Sequence, residues 1–198
     1  YKNTSKTKSA GEKSHFFSQF TKSFKGKNNS DNTLNLSVQD VSNDKYLKLY
    51  RIQSNLVDYK EDTLESGINF THEKEDLFLG INANVYETLK STYEDKHEYI
   101  LPELTLNKNL YSDENLGNFE LVSNLKVHNY DTNKSSTFFV NDINWTSKSI
   151  FSTNFIKSKF KANLKNINYE TKNIEVFKTK TTNELFGALG LLSEINFE

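Results

Sequence analysis

The chain has 198 residues, 25 of them basic and 26 acidic, for a net charge of −1, with one arginine (Arg51) and no cysteine. That balance offers no basic stripe for nucleic acid, so no nucleic-acid partner is expected, and it leaves no disulfide, thiolate nucleophile or thiolate metal site. Hydrophobic content is 35%, mean hydropathy is −0.72, and no apolar run approaches the ~20 residues of a membrane helix. A helical membrane protein is therefore excluded, but a membrane barrel is not, because each barrel strand shows only alternate residues to lipid.

Residues 1–14, YKNTSKTKSAGEKS, are polar and aperiodic and read as a loop or frayed end. From His15 to residue 198 an apolar/polar alternation of period two runs almost unbroken, the mark of strands with two unlike faces. Strands are predicted at 15–24, 33–41, 46–53, 63–72, 77–88, 98–110, 117–130, 137–147, 154–169 and 180–198. No linker or composition break interrupts them, so 15–198 is expected to form part of one sheet in one domain. The chain opens without Met and stops inside the alternating run SEINFE, as expected of a fragment cut at both ends.

The stretch LESGINFTHEKEDLFLGINANVYETL (64–88, with Leu89) shows the pattern most plainly. Leu64, Ser66, Ile68 and Phe70 share one face of the first strand; Leu77, Leu79, Ile81, Ala83 and Val85 share one face of the second. Asn69, Asn82 and Asn84 stand on the opposite faces. Farther on, Ile100, Pro102, Leu104, Leu106 and Leu110 are expected on one face. So are Phe119, Leu121, Leu125 and Val127, and then Leu185, Gly187, Leu189, Leu191, Ile195 and Phe197. Pro102 cannot donate to a ladder and predicts a bulge or bend.

Three features favour lipid over a protein core as the neighbour of the apolar wall. Several predicted strands reach the ~9–11 residues that cross a bilayer when tilted. Connections alternate between tight (HEKED, 72–76; SDEN, 112–115) and long (KSTYEDKH, 90–97; TKNIEVFKTK, 171–180), as outer-membrane barrels alternate short turns with long loops. Aromatic residues recur near strand ends (Phe24, Tyr46, Tyr86, Tyr99, Tyr111, Tyr130, Trp145, Tyr169), where barrels carry aromatic girdles.

Catalytic and metal-binding patterns are sparse. His15, His72, His97 and His128 form no His-x-x-His or His-Glu-x-x-His pair, the acidic turn Glu73, Glu75 and Asp76 reads as solvated, and GALG lacks the lysine and spacing of a phosphate loop. No enzyme, cofactor or metal is expected.

YILPELTLNKNL (99–110) and VNDINWTSKSIF (140–151) resemble the LPS-assembly outer-membrane protein, the LptD family, most of all its alphaproteobacterial type. SHFFSQFTKSF (14–24), LNLSVQDVSNDKYLKLYRI (34–52), ANLKNIN (162–168) and ELFGALGLLSEI (184–195) follow in the family's order, so the resemblance covers nearly all of the chain after residue 13. It implies a segment of a large transmembrane β-barrel in the outer membrane of a Gram-negative bacterium. Its implied partners are lipopolysaccharide, outer-membrane lipids and a plug lipoprotein held inside the barrel.

The expected fold class is therefore all-β: an antiparallel, up-and-down sheet, curved and incomplete, with unpaired edges near 15–24 and 180–198. Ile68, Phe70, Leu77, Leu79, Ile81, Leu104, Leu106, Leu121, Leu125, Leu189 and Leu191 should face lipid, and Asn69, Asn82 and Asn84 the lumen. The alternative is a soluble or surface-exposed β-sheet binding module, adhesin-like, with its apolar wall turned into a dry interior.

Overall fold

The structure is a computed structural model and describes residues 13–93, 95–131, 133–152, 156–177 and 179–195. Residues 1–12 of the expected polar loop, and Phe197, lie outside these.

Nine strands follow one another in a single antiparallel sheet in chain order. They are β1 His15–Lys25, β2 Asp31–Val41, β3 Thr63–Lys74, β4 Leu77–Thr88 and β5 His97–Asp113, then β6 Gly117–Tyr130, β7 Lys134–Ser152, β8 Ile156–Lys172 and β9 Thr181–Ile195. Each pairs only with its neighbours in sequence, and β1 and β9 are the free edges of an open sheet. Alternation and β-branched or aromatic content account for the strands, and tight turns such as Glu75–Asp76 favour pairing of sequence neighbours. The tight turn expected at 72–76 is Glu75–Asp76, and β3 pairs with β4 across it from Lys74↔Leu77 to Thr63↔Thr88.

The segment 46–53, expected as a strand, is instead a short helix, α1 Tyr46–Tyr50, ended by Arg51 at φ 50°. The sequence YLKLYRI alternates no better than it coils. Burial decides: Tyr46 and Leu47 are buried while Leu49 and Tyr50 are exposed, a sidedness that a strand of this parity could not give. Nine strands, not ten, are present among the described residues.

Two bulges also correct the expected faces in β5. The β4–β5 and β5–β6 registers both shift around Leu101 and Pro102, and the β5–β6 register shifts again at Leu110. Proline at a bulge removes no ladder donor, which agrees with the reading of Pro102. The extra residues reverse parity, so Ile100 pairs with Asn84 and His128 on the wall opposite Leu104 and Leu106. Leu110 is likewise displaced from their row.

Between β2 and β3 lies a small core. Their ladder stops at Ser37↔Gly67, while the outer neighbours continue to Val41 and Thr63. Val41, Tyr46, Leu47, Val57, Leu64 and Leu89 fill the region and bury one another. The Gln39 side chain replaces the missing ladder: its amide donates to the Leu56 carbonyl at 2.9 Å and accepts from the Glu65 N–H at 2.9 Å. Beside this core the Lys96 ammonium and the Asp44 carboxylate form an ion pair, 3% and 1% exposed.

Candidate functional site

The register settles which side chains share a wall. Leu36↔Ile68↔Ala83 and Leu34↔Phe70↔Ile81↔Leu104↔Leu125↔Phe139 run across six strands on one side. Leu79↔Leu106 and Lys108↔Leu121↔Ile143↔Leu164↔Gly187 follow on the same side, as does Trp145↔Ala162↔Leu189 with Phe160↔Leu191. All eleven residues expected on the apolar wall (Ile68, Phe70, Leu77, Leu79, Ile81, Leu104, Leu106, Leu121, Leu125, Leu189 and Leu191) stand there together. Asn69, Asn82 and Asn84 stand on the other wall.

Among the described residues no layer covers the apolar wall along its length; Leu64, at its long-loop end, is buried in the small core between β2 and β3. Phe16, Phe20, Ile68, Ile81, Phe139, Ile143, Leu164 and Leu185 are all exposed, and each belongs to it. A sheet buries one face only against a second layer, and no second layer of sheet or helix exists among the described residues. A contiguous exposed apolar surface running over nine strands is of the kind that marks a membrane or protein contact.

The wall also has a height. Leu77 to Val85 on β4 and Phe119 to Val127 on β6 mark its extent along two strands. At ~3.4 Å per residue and a tilt of ~40° these spans cover roughly 20–25 Å, close to the ~25 Å apolar band of outer-membrane barrels. Polar groups inside the band pair with one another, as where the Ser123 hydroxyl donates to Asn141 Oδ1 at 2.6 Å. Lys22 and Lys108 are exceptions near the short-turn rim, Lys22 three residues from the end of β1 and Lys108 opposite Leu77, the first residue of β4, where a long side chain can reach the rim.

The opposite wall is a hydrogen-bonded polar surface. Asn35 donates to Asn69 Oδ1 at 3.2 Å, and Asn69 donates to Asn82 Oδ1 in turn. In the same row the Lys126 ammonium lies 3.7 Å from the Glu103 carboxylate. Asn163 donates to Asn144 Oδ1 at 2.8 Å, and Thr105 to Asn124 Oδ1 at 3.2 Å. Phe78, Val122, Phe186 and the cross-strand pair Val140↔Ile167 also stand on this wall. Its largest apolar feature, unforeseen from sequence, is a ring cluster of Phe138, Tyr169 and Phe177, with centroids 5.1 to 5.9 Å apart. It fastens the 173–180 connection against the polar wall.

The two rims differ. Connections 26–30, 75–76 and 114–116 fall at one rim, all short, and β7 ends and β8 begins at the same rim. At the other fall 42–62, 89–96 and 173–180, all longer, and one short turn, 131–133. At the short-turn rim Phe24, Tyr111 and Trp145 stand on the apolar wall, with Phe119 between Tyr111 (6.5 Å) and Trp145 (6.1 Å). This matches a girdle. At the long-loop rim only Tyr99 of the expected aromatics faces the apolar wall; Tyr86, Tyr130 and Tyr169 belong to the polar one and Tyr46 to the helix, so the second girdle is not formed by them.

Charged groups at the rims are locally held. Backbone N–H groups of Asn115 and Leu116 donate to the Asp113 carboxylate at 2.7 and 3.0 Å and hold it below the usual carboxylate range. At the other rim the Asp131 carboxylate, 2.9 Å away, raises the Lys134 ammonium above its ordinary value. The histidines remain apart. His15 meets the Tyr46 hydroxyl at 3.2 Å, His72 meets Asn32 at 2.7 Å and His128 meets Glu98 at 2.6 Å. No group of three or more metal-binding side chains converges among the described residues.

Among the described residues no helix is long and apolar enough to cross a membrane, which says nothing of crossing by strands. Comparison with known proteins finds no family model and no curated protein that matches the chain.

Proposed function

We propose that this chain is a non-enzymatic segment of a transmembrane β-barrel of the Gram-negative outer membrane. In this reading the apolar wall faces lipid, the asparagine-rich wall faces a wet lumen, and the long-loop rim faces the cell exterior. The observation that carries it is the exposed apolar wall with no second layer over it among the described residues. Hydrocarbon stabilises such a wall, and a closed up-and-down barrel satisfies every backbone group within it. Within this class we assign the chain to the lipopolysaccharide-assembly barrel of the LptD family. Support for that finer step is the resemblance of YILPELTLNKNL and VNDINWTSKSIF, and the implied partners are lipopolysaccharide and a plug lipoprotein.

The chain has no cysteine, so labelling gained over the unsubstituted full-length protein reports the introduced site. Single cysteines replace Leu79, Leu121 or Asn82 in the full-length protein in native outer membranes. The expected result is that a charged aqueous maleimide labels Asn82→Cys and leaves Leu79→Cys and Leu121→Cys unmodified until detergent is added. Rapid aqueous labelling of all three would support the soluble, adhesin-like alternative. The finer assignment has its own readout. Depleting the full-length protein should lower lipopolysaccharide at the cell surface, and an unchanged surface level would remove that assignment while leaving the barrel.

A further inference from the structure

Strand β8 gathers lysines on the polar wall. Lys157, Lys159, Lys161 and Lys165 all stand there, by their pairing with β7 and β9. Lys165 lies 3.5 Å from the Asp142 carboxylate. Lys157, Lys159 and Lys161 form no ion pair among the described residues, although Glu194 stands opposite Lys157 on β9. The other cross-strand neighbours of Lys159 and Lys161 are Ser149, Thr146, Leu192 and Gly190, none of them charged. Carboxylates elsewhere on the wall are engaged: Glu65 accepts from the Tyr86 hydroxyl, Glu98 meets His128 and Glu103 meets Lys126. Three cations in a row at the short-turn end of β8 are thus left for something outside the sheet.

An apolar island adjoins the row on its long-loop side. Val140 pairs with Ile167 and Phe138 with Tyr169, on a wall that elsewhere carries asparagine. Phe186 stands opposite Lys165, diagonal to Ile167, and is 49% exposed. Phe177 of the 173–180 connection already packs on Phe138 and Tyr169, with ring centroids 5.9 and 5.1 Å away, so the long-loop end of the island takes a polypeptide side chain. The Phe186 end stays open. An apolar centre flanked by charged and polar groups is the anatomy of a protein contact.

Resting on the barrel reading, we infer that this face of β7, β8 and β9 docks an extended acidic segment of a partner protein inside the lumen. Alternate residues of an extended chain recur at ~6.8 Å on one side, which is also the spacing of Lys157, Lys159 and Lys161 along β8. Carboxylates at every second position of the segment therefore meet the row one for one. Phe186 lies level with Lys165, so an aromatic or aliphatic side chain about 14 Å beyond the carboxylate at Lys161 reaches the island. The acidic end of the segment points to the short-turn rim and its apolar anchor to the long-loop rim. An anionic glycan or lipid headgroup would meet the lysines but leave Phe186 and Ile167 uncovered.

A photo-crosslinking residue at Thr146, beside Lys161, and separately at Ile167, in the full-length protein in its native membrane tests this. The expected product is heavier than the monomer. Peptide mapping should place the Thr146 link on a stretch of a second protein with Asp or Glu at alternate positions, and the Ile167 link on an apolar residue of the same stretch. Changing Lys157, Lys159 and Lys161 together to Gln should lower the Thr146 yield several-fold, as should high salt, while changing all three to Arg should preserve it. Lys126→Gln, on the same wall but paired with Glu103, should leave it unchanged. A link within the same chain, an adduct with lipid or glycan alone, a linked stretch without alternate acidic residues, no adduct, or a yield indifferent to the Gln changes overturns the inference. The Leu79→Cys and Leu121→Cys labelling separates the two failures. If those sites stay shielded and no acidic partner segment is found, only the docking is wrong. If they label freely from water, the barrel reading falls and the lumenal docking with it.

Discussion

The Trp145 indole N–H donates to the Leu116 carbonyl oxygen at 2.7 Å, tying β7 to the turn between β5 and β6. The ring also stacks on Phe119, so an apolar body and a polar tip serve one rim position. Trp145→Phe keeps the ring and removes the bond. It should lower unfolding stability by about 0.5–1.5 kcal/mol in a denaturant titration of the full-length protein in detergent or lipid. A neutral result would show that water replaces the bond without cost.

Leu79 and Asn82 stand on opposite walls of β4, three residues apart. Leu79→Lys should destabilise the full-length protein in lipid by roughly 2–4 kcal/mol if the site lies near the bilayer midplane, and Asn82→Lys by much less. Equal costs at the two sites would contradict the assignment of walls.

Lys96 and Asp44 are paired and out of water at the long-loop rim. Lys96→Met strands a buried carboxylate and should cost about 3–5 kcal/mol, while the double change Lys96→Met with Asp44→Leu should recover most of the loss. Urea unfolding of the single and double variants measures the difference. A double variant as unstable as the single would mean that the pair itself, and not the orphaned charge, matters.

Gly67 lies where a Cβ would meet the Ala83 carbonyl oxygen at 2.8 Å, besides the Asn84 side chain. Backbone cannot rotate aside as a side chain can. Gly67→Ala should therefore cost about 1–3 kcal/mol, and adding Asn84→Ala should not restore it. Full rescue by the second change would place the clash on Asn84 alone.

Asp113 is partly exposed at the short-turn rim, and the backbone N–H groups of Asn115 and Leu116 hold its carboxyl below the usual carboxylate range. A carboxylate depressed in the folded state contributes stability present above its unfolded pKa and lost as pH falls through the folded one. The turn at 114–116 should thus stay closed at neutral pH and loosen only at a pH below the usual carboxylate range. Asp113→Ala should loosen it at every pH and abolish that acid step. Following the Asp113 carboxyl by NMR would decide the matter, and a midpoint at or above that of an ordinary exposed aspartate would refute it.

Much of this architecture was legible in the residues. Period-two alternation set the meander, and parity put Ile68, Leu79, Leu121 and Leu189 on one wall because strand side chains alternate without drift. Parity failed where the backbone gained a residue: Pro102 marked the bulge, yet the resulting change of wall for Ile100 depends on both neighbouring strands. Helix α1 was hidden because its range spans little more than one helical turn, too short to display a 3.6-residue period. The Asp44–Lys96 pair and the Gln39 bridge were invisible for another reason. Both join residues far apart in sequence, and no local spacing announces them.

The short ladder between β2 and β3 has a mechanical meaning. Strands in a meander bear a sideways pull in series, so the sheet parts first at its weakest joint. Between β1 and β2 the hydrogen-bonded seam reaches Val41, and between β3 and β4 it reaches Thr63; between β2 and β3 it ends at Ser37 and Gly67. Beyond that point the seam is held by Gln39 and a handful of apolar side chains from residues 41–64. A tear would start at the long-loop rim between β2 and β3 and run toward the short-turn rim, with Gln39 as its first stitch to give way.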